Sequence, residues 1–256
     1  QQMKKQSKRK GRKFGELNPI KNGDVFLMKS GRTCTVYNYV NANNIDVVFE
    51  DGFQVNLRYG SLREGTYTHP LDRTIRSVGY IGFGEYNTST HKIAYHKWCG
   101  IIERCYSSNF HKRKFGSNYK GTILIEEWNN FQNFAEWFYN QHYENGWQID
   151  KDLFSDEVSI YSPKTCVIVP ADINIATIQD KGVYFWENAK RLKKYQVNIS
   201  HRNVKKTVGY ALTEEEGIKM YKSAKNSYLK KVILENKLPA ELESKLLRRV
   251  DEKFVC

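Results

Sequence analysis

Two blocks of cations carry the most legible chemistry in the chain. Residues 1–13 (QQMKKQSKRKGRK) hold Lys4, Lys5, Lys8, Arg9, Lys10, Arg12 and Lys13, with no acid among them. Residues 181–212 hold eight Lys or Arg against Glu187 alone. These blocks account for the formal charge of +13 over 256 residues, and the rest of the chain is close to neutral. Two concentrated blocks of one sign repel each other. They become favourable when they displace counterions from a polyanion. In the second block Arg191, Lys193, Lys194, Arg202, Lys205 and Lys206 are interleaved with Tyr184, Phe185, Trp186 and Tyr195. Cations mixed with aromatic rings point to nucleic acid rather than to a plain solvated face. The first block also reads as a disordered, solubilising tail over residues 1–17.

The elements that must carry these residues follow from the apolar pattern, which predicts an α+β chain. Residues 18–67 alternate short β-branched and aromatic runs (Val25-Phe26-Leu27, Cys34 to Tyr37, Ile45 to Phe49) with Gly and Asn. That spacing predicts a meander forming a small β-barrel-like module, with Asp51-Gly52 as a hairpin turn. Residues 68–93, with His69-Pro70 and Gly79, Gly82 and Gly84, read as a linker at a domain boundary. Tyr95, Trp98, Ile102 and Cys105 lie at helical spacing in 94–106, and Asn129 or Asn130 caps a second helix that turns Phe131, Phe134, Trp137 and Phe138 inward. Residues 147–178 read as strand, long loop, strand and a short helix around Asn174, closing a central module over 94–178. From 179 to 256 three strand-like runs (Gly182 to Phe185, Tyr195 to Ile199, Thr207 to Leu212) precede a helix opened by the capping box Thr213 to Glu216. Its inner face is expected to be Ile218, Tyr221, Ala224, Tyr228 and Val232. Pro239 suits the first turn of a last helix carrying Leu242, Leu246 and Val250.

Several classes are disfavoured. No window approaches the run of about eighteen apolar residues that a membrane span needs, and the polar N-terminus does not read as a secretory signal. Cys34, Cys99, Cys105, Cys166 and Cys256 form no CxxC pair. Neither a disulfide scaffold nor a zinc site is expected, and a reducing cytoplasm is the expected setting. The glycines at 79, 82 and 84 lack the Lys-Ser/Thr pair of a phosphate loop, and no G-x-S-x-G elbow is present.

Three strands backed by one helix leave a sheet face free, and such a face fits a major groove. GVYFWENAKRLKKYQVNI, then KKTVGYALTEEEGIKMYKSA, resembles the ethylene-response-factor type of DNA-binding domain, which also occurs in phage homing endonucleases. The landmarks are Gly182-Val183, Tyr195, Val197, Gly209-Tyr210 and Thr213-Glu214-Glu215 leading into Tyr221 and Ala224. The likeness spans residues 180–232. It implies that Arg191, Lys193, Lys194, Tyr195, Arg202, Lys205 and Lys206 meet double-stranded DNA.

The central segments YHKWCGIIERCY, YKGTILIEEWNNFQNFAEWF and GWQIDKDL…YSPKTCVIVPADIN resemble phage proteins of the HNH and homing endonuclease group. The likeness runs from Gly79 to Asn174 and extends more loosely to both flanking modules. It implies a ββα frame with one Mg²⁺ or Mn²⁺ ion, and hydrolysis of DNA phosphodiesters as a nick in one strand, inside the bacterial host of a phage. Carried over, Asp150 is the metal-binding aspartate and Asn174 the ligand on the helix. Lys151 stands where the group has its general-base His. A protonated lysine accepts no proton, so the expected role of Lys151 is charge stabilisation, with Asp152 or the metal site supplying the base. Read on the residues alone, Asp150-Lys151-Asp152 is also an ordinary polar strand end. His91, His96, His111 and His142 show no spacing that replaces the missing base. The alternative function is a DNA-binding regulator, or an antagonist of host machinery, that keeps the frame without the activity.

Overall fold

A computed structural model describes residues 20–154, 159–177, 181–187, 190–201 and 204–254. Lys4, Lys5, Lys8, Arg9, Lys10, Arg12, Lys13 and Arg202 lie outside the described residues. The chain divides into two compact units, one ending at Asp72 and one beginning at Arg73.

The first unit is an antiparallel meander of β1 (Val25–Leu27), β2 (Thr33–Asn41), β3 (Asn44–Phe49) and β4 (Gln54–Leu57), paired in chain order. Side chains alternate across a strand, so Cys34, Val36, Ile45, Val47 and Phe49 share one buried face. Gly52, at φ +86°, makes the turn into β4, where the Phe49 N–H donates to the Phe53 carbonyl at 2.8 Å. The expected barrel does not close: β1 and β4 remain the edges of an open sheet. Strands of three and four residues give little ladder to wrap. Met28 and Leu62, the latter from α1 (Tyr59–Glu64), complete this core instead.

His69 is buried in the same unit, with its ring centroid 4.8 Å from Phe49 and 4.9 Å from Phe53. Its Nε2 lies 3.3 Å from an Asp51 carboxylate oxygen. Burial, the larger influence, pushes the imidazole below its usual range, while Asp51 acts in the opposite sense.

The second unit opens with α2 (Lys92–Tyr106) and α3 (Ser108–His111). Ala94, Trp98, Ile101, Ile102 and Cys105 form the buried stripe of α2, and the Trp98 indole N–H donates to the Trp128 carbonyl at 2.6 Å. After β5 (Ile123–Leu124) comes α4 (Phe131–Tyr139). The Asn130 side chain caps α4 by accepting the Gln132 N–H at 3.0 Å. Residues 73–91 form no helix or strand ladder, yet Gln132 pins them. Its Oε1 accepts the Tyr86 N–H, and its Nε2 donates to the Ile81 and Tyr86 carbonyls, each at 3.0 Å. A Cβ at Gly82 or Gly84 would fall 2.1 Å from Asn130 Oδ1 or 2.3 Å from Gln132 Oε1. These glycines therefore serve close packing.

Next follow β6 (Gln148–Asp150), β7 (Ile160–Tyr161), β8 (Val167–Val169) and α5 (Ala171–Thr177). β6 pairs antiparallel with β8, placing Asp150 opposite Val167, and β7 pairs parallel with β5. The chain ends in a three-stranded antiparallel sheet of β9 (Val183–Phe185), β10 (Tyr195–His201) and β11 (Val204–Ala211), with β10 central, then α6 (Glu214–Glu235) and α7 (Ala240–Lys253). The Thr213 hydroxyl accepts the Glu216 N–H at 3.2 Å, and the Glu216 carboxylate accepts the Leu212 N–H at 2.7 Å. Pro239 occupies the N-cap of α7, one position before its first turn.

The inner face of α6 differs from expectation. Gly217, Lys225, Leu229, Val232 and Ile233 are buried, whereas Ile218 is exposed and Tyr221, Ala224 and Tyr228 are half-buried. Gly217 is where the helix packs close to the sheet: a Cβ there would lie 2.9 Å from Val183 Cγ1.

Two outcomes are expected. Trp98→Ala should cost about 3–5 kcal/mol in urea unfolding, because it opens a cavity and orphans the Trp128 carbonyl. In the first unit the unfolded chain takes up a proton near pH 6.5 that folded His69 resists. Stability should therefore be complete above that pH and fall as pH drops through the lower folded value. An NMR titration of the His69 ring, read beside thermal unfolding from pH 7 to 5, checks both parts.

Candidate nucleic-acid and metal site

One wall of a pocket of about 270 Å³ in the second unit comes from α2, through His96, Lys97, Gly100 and Arg104. Facing residues come from the end of β6 and the turn after it (Gln148, Asp150, Lys151, Asp152), with Asn174 of α5, Tyr119 and Tyr161. The structure thus brings together all four residues singled out in the centre of the sequence.

Asp150 is 3% exposed and organises the turn. Its Oδ1 accepts the N–H groups of Asp152 at 2.6 Å and Leu153 at 3.1 Å, and its Oδ2 accepts the Thr177 hydroxyl at 2.6 Å. The Thr177 Oγ1 also lies 2.7 Å from the Asn174 carbonyl, so strand end and helix are joined. The Asn174 side-chain amide donates to Gln148 Oε1. From the other end of the chain, Arg249 donates to the Leu153 carbonyl at 2.9 Å and Lys253 donates to the Asp152 carbonyl. Helix α7 therefore holds the turn that carries Lys151.

Lys151 is 6% exposed. Its Nζ lies 2.5 Å from Asp152 Oδ1 and 5.5 and 5.8 Å from the ring centroids of Tyr119 and Tyr161. An anion and two ring faces are the partners of an ammonium. The Arg104 guanidinium sits 5.6 Å over Tyr119 and donates to the Tyr161 hydroxyl at 3.4 Å. Lys97 donates to the Trp147 carbonyl at 2.7 Å; burial first, then the charge of Arg104, pushes its ammonium below the usual range. Burial raises the Tyr161 hydroxyl and pushes the thiols of Cys105 and Cys166 up to about 12. Both thiols stay protonated at neutral pH and offer no nucleophile there.

Sequence reading missed Lys97, Arg104 and the placement of His96. The signal was available: His96, Lys97 and Arg104, with Gly100 between them, fall on one side of α2 beside its aromatic stripe. The residues also bear on the metal expectation. Among the described residues no group of three His, Cys, Asp or Glu is placed to hold a metal ion. Mg²⁺, however, commonly takes only one or two carboxylates, leaving its other positions to water and phosphate. Asp150 Oδ2 has one lone pair beyond its single hydrogen bond, and Asn174 orients its amide through Gln148. This donor set fits a hard cation of that kind.

In the C-terminal sheet the side facing α6 carries Val183, Val197 and Ala211, all buried. Register puts Tyr184, Gln196 and Tyr210 in one row on the opposite face. The Arg191 guanidinium stacks on Tyr210 at 3.8 Å, and Lys205 and Lys181 lie 5.0 and 6.0 Å over Tyr184. Lys193 is exposed and Lys194 half-buried. Tyr195 falls on the other face with Phe185, at 5.0 Å between centroids, because neighbours on a strand alternate. Lys206 lines a groove with Ile199, Tyr228 and Lys231 instead of joining the outer row.

Removing the Asp150 carboxylate should loosen the turn. Asp150→Ala is expected to cost about 1–3 kcal/mol for each buried donor it orphans, and Asp150→Asn distinctly less, as read from denaturant midpoints.

No protein-family model matches the chain, and neither a curated protein nor a solved structure matches it.

Proposed function

We propose that this is a double-stranded DNA-binding protein that hydrolyses phosphodiester bonds, nicking one strand, with Mg²⁺ or Mn²⁺. The observation that carries this reading is the convergence of Asp150 and Asn174 with Lys97, Arg104 and Lys151 around one pocket. A backbone phosphate seated there meets three cations. Their charge opposes the negative charge that grows on the phosphoryl oxygens as the bond breaks. A divalent cation held by Asp150 and Asn174 would polarise a phosphoryl oxygen. Lys151, bonded as an ammonium, serves as the electrostatic element. Proton removal from the attacking water falls to the Asp152 carboxylate, whose side chain is 68% exposed, or to His96 on the facing helix. The outer row of the C-terminal sheet, with Arg191 and Lys205 beside Tyr210 and Tyr184, supplies a face for the major groove.

In this reading the protein works in the cytoplasm of a phage-infected bacterium. Among the described residues no helix is long and apolar enough to cross a membrane.

A second reading has its own support. Each oxygen of Asp150 already accepts a hydrogen bond, and by the resemblance Lys151 stands where a general-base His is expected. The same framework could bind DNA without cutting it, as a regulator or antagonist of host machinery. Supercoiled-plasmid nicking in Mg²⁺ or Mn²⁺ separates the two. Wild type should nick, Asp150→Asn and Asn174→Ala should lose about 100-fold or more, and Lys151→Ala about 10–100-fold, the range of an electrostatic or acid–base contribution. Tight duplex binding with no nick in either metal would establish the second reading instead.

A further inference from the structure

A third basic cluster is masked when charge is summed over long stretches. Between α3 and β5, residues 112–120 carry Lys112, Arg113, Lys114 and Lys120, all exposed, with no acid in the segment. Phe115 stands among them and is 70% exposed. An apolar ring held in water beside cations makes no contribution to the core.

The loop is a built structure. Gly116 is buried, and a Cβ there would lie 1.8 Å from the Phe110 carbonyl oxygen. Its N–H donates to the Arg113 carbonyl at 2.9 Å, closing the turn. The Lys114 ammonium lies 5.4 Å from the Phe115 ring centroid. Three residues beyond Gly116, Tyr119 forms part of the pocket wall, with Arg104 and Lys151 both against its ring. The cationic loop is thus continuous with the wall of the phosphate pocket.

We propose that residues 112–120 form a second DNA-contacting arm. Lys112, Lys114 and Lys120 take backbone phosphates neighbouring the one in the pocket, and Phe115 wedges against the base step beside them. The inference rests on the DNA-binding reading above and adds a contact that deforms the duplex next to the pocket. Apolar wedges flanked by cations unstack base steps in this way. An anionic bilayer would attract the same lysines, but a lone ring offers it little apolar area to bury.

The test uses the full chain and duplexes carrying 2-aminopurine at successive positions. Wild type should raise the probe's fluorescence several-fold at one step, Phe115→Ala should abolish the rise, and Phe115→Tyr should restore part of it. The triple variant Lys112→Ala, Lys114→Ala, Lys120→Ala should flatten the plot of log Kd against log salt by about 2–3, close to 0.9 per lost phosphate contact. Circular dichroism should stay unchanged in every variant. An unchanged salt slope, or a probe silent at every position while binding is intact, overturns the arm and leaves the DNA-binding reading standing. Binding to phosphatidylserine vesicles that the triple variant loses, without any change on DNA, also overturns it. Failure of the wild type to bind duplex even in dilute salt overturns both.

Discussion

One buried carboxylate organises the centre of the molecule. Asp150 ends β6 almost fully buried, and its carboxyl oxygens accept two backbone amides and the Thr177 hydroxyl. Those bonds decide where the chain turns, which way Lys151 leaves the strand and how α5 sits against β6. A buried ionised group without such partners would be too costly to keep. The same bonds make the pocket's position a property of the fold, because neither the turn nor the helix can shift without orphaning a donor.

Around that anchor the electrostatics are lopsided. Lys97, Arg104 and Lys151 face a small space together with Asp150 and Asp152, and much of the cationic charge is spread over the faces of Tyr119 and Tyr161. Aromatic faces let cations remain partly dehydrated, although Lys151 also keeps Asp152 as a counterion at 2.5 Å. Arg191 on Tyr210 and Lys205 over Tyr184 repeat the arrangement on the terminal sheet. The two surfaces share one physical logic although they are built on different elements.

Much of this was legible in the residues. Period-2 runs gave the strands, Asn129 or Asn130 was the expected cap of α4 and Asn130 takes that place, and Thr213 with Glu216 gave the start of α6. Asp150, Lys151, Asp152 and Asn174 were grouped by the family resemblance and not by residue pattern, and that they line one pocket across a 24-residue separation is visible only in three dimensions. What stayed hidden has physical reasons. Closure of a sheet depends on strand lengths and on what fills its end, so the barrel was not decidable from alternation. The buried face of α6 also depends on close packing that hydropathy does not carry: Gly217 and Lys225 are buried there, while Ile218 is exposed. Lys97 and Arg104 were overlooked because the aromatic stripe of α2 dominated the reading of that helix. The strand faces of Tyr195 and Lys206 depended on register and on the bulge between Val197 and Asn198.

Helix α7 reaches back to the turn after β6, where Arg249 and Lys253 donate to backbone carbonyls of Leu153 and Asp152. Carbonyl recognition of this kind reads the path of the main chain and ignores side-chain identity. Evolution could therefore exchange the residues displayed on that turn, and with them the chemistry offered to a ligand, while the brace stayed the same. Conversely, a fragment cut away before the last helix would keep every pocket-lining side chain and lose the support that aims them.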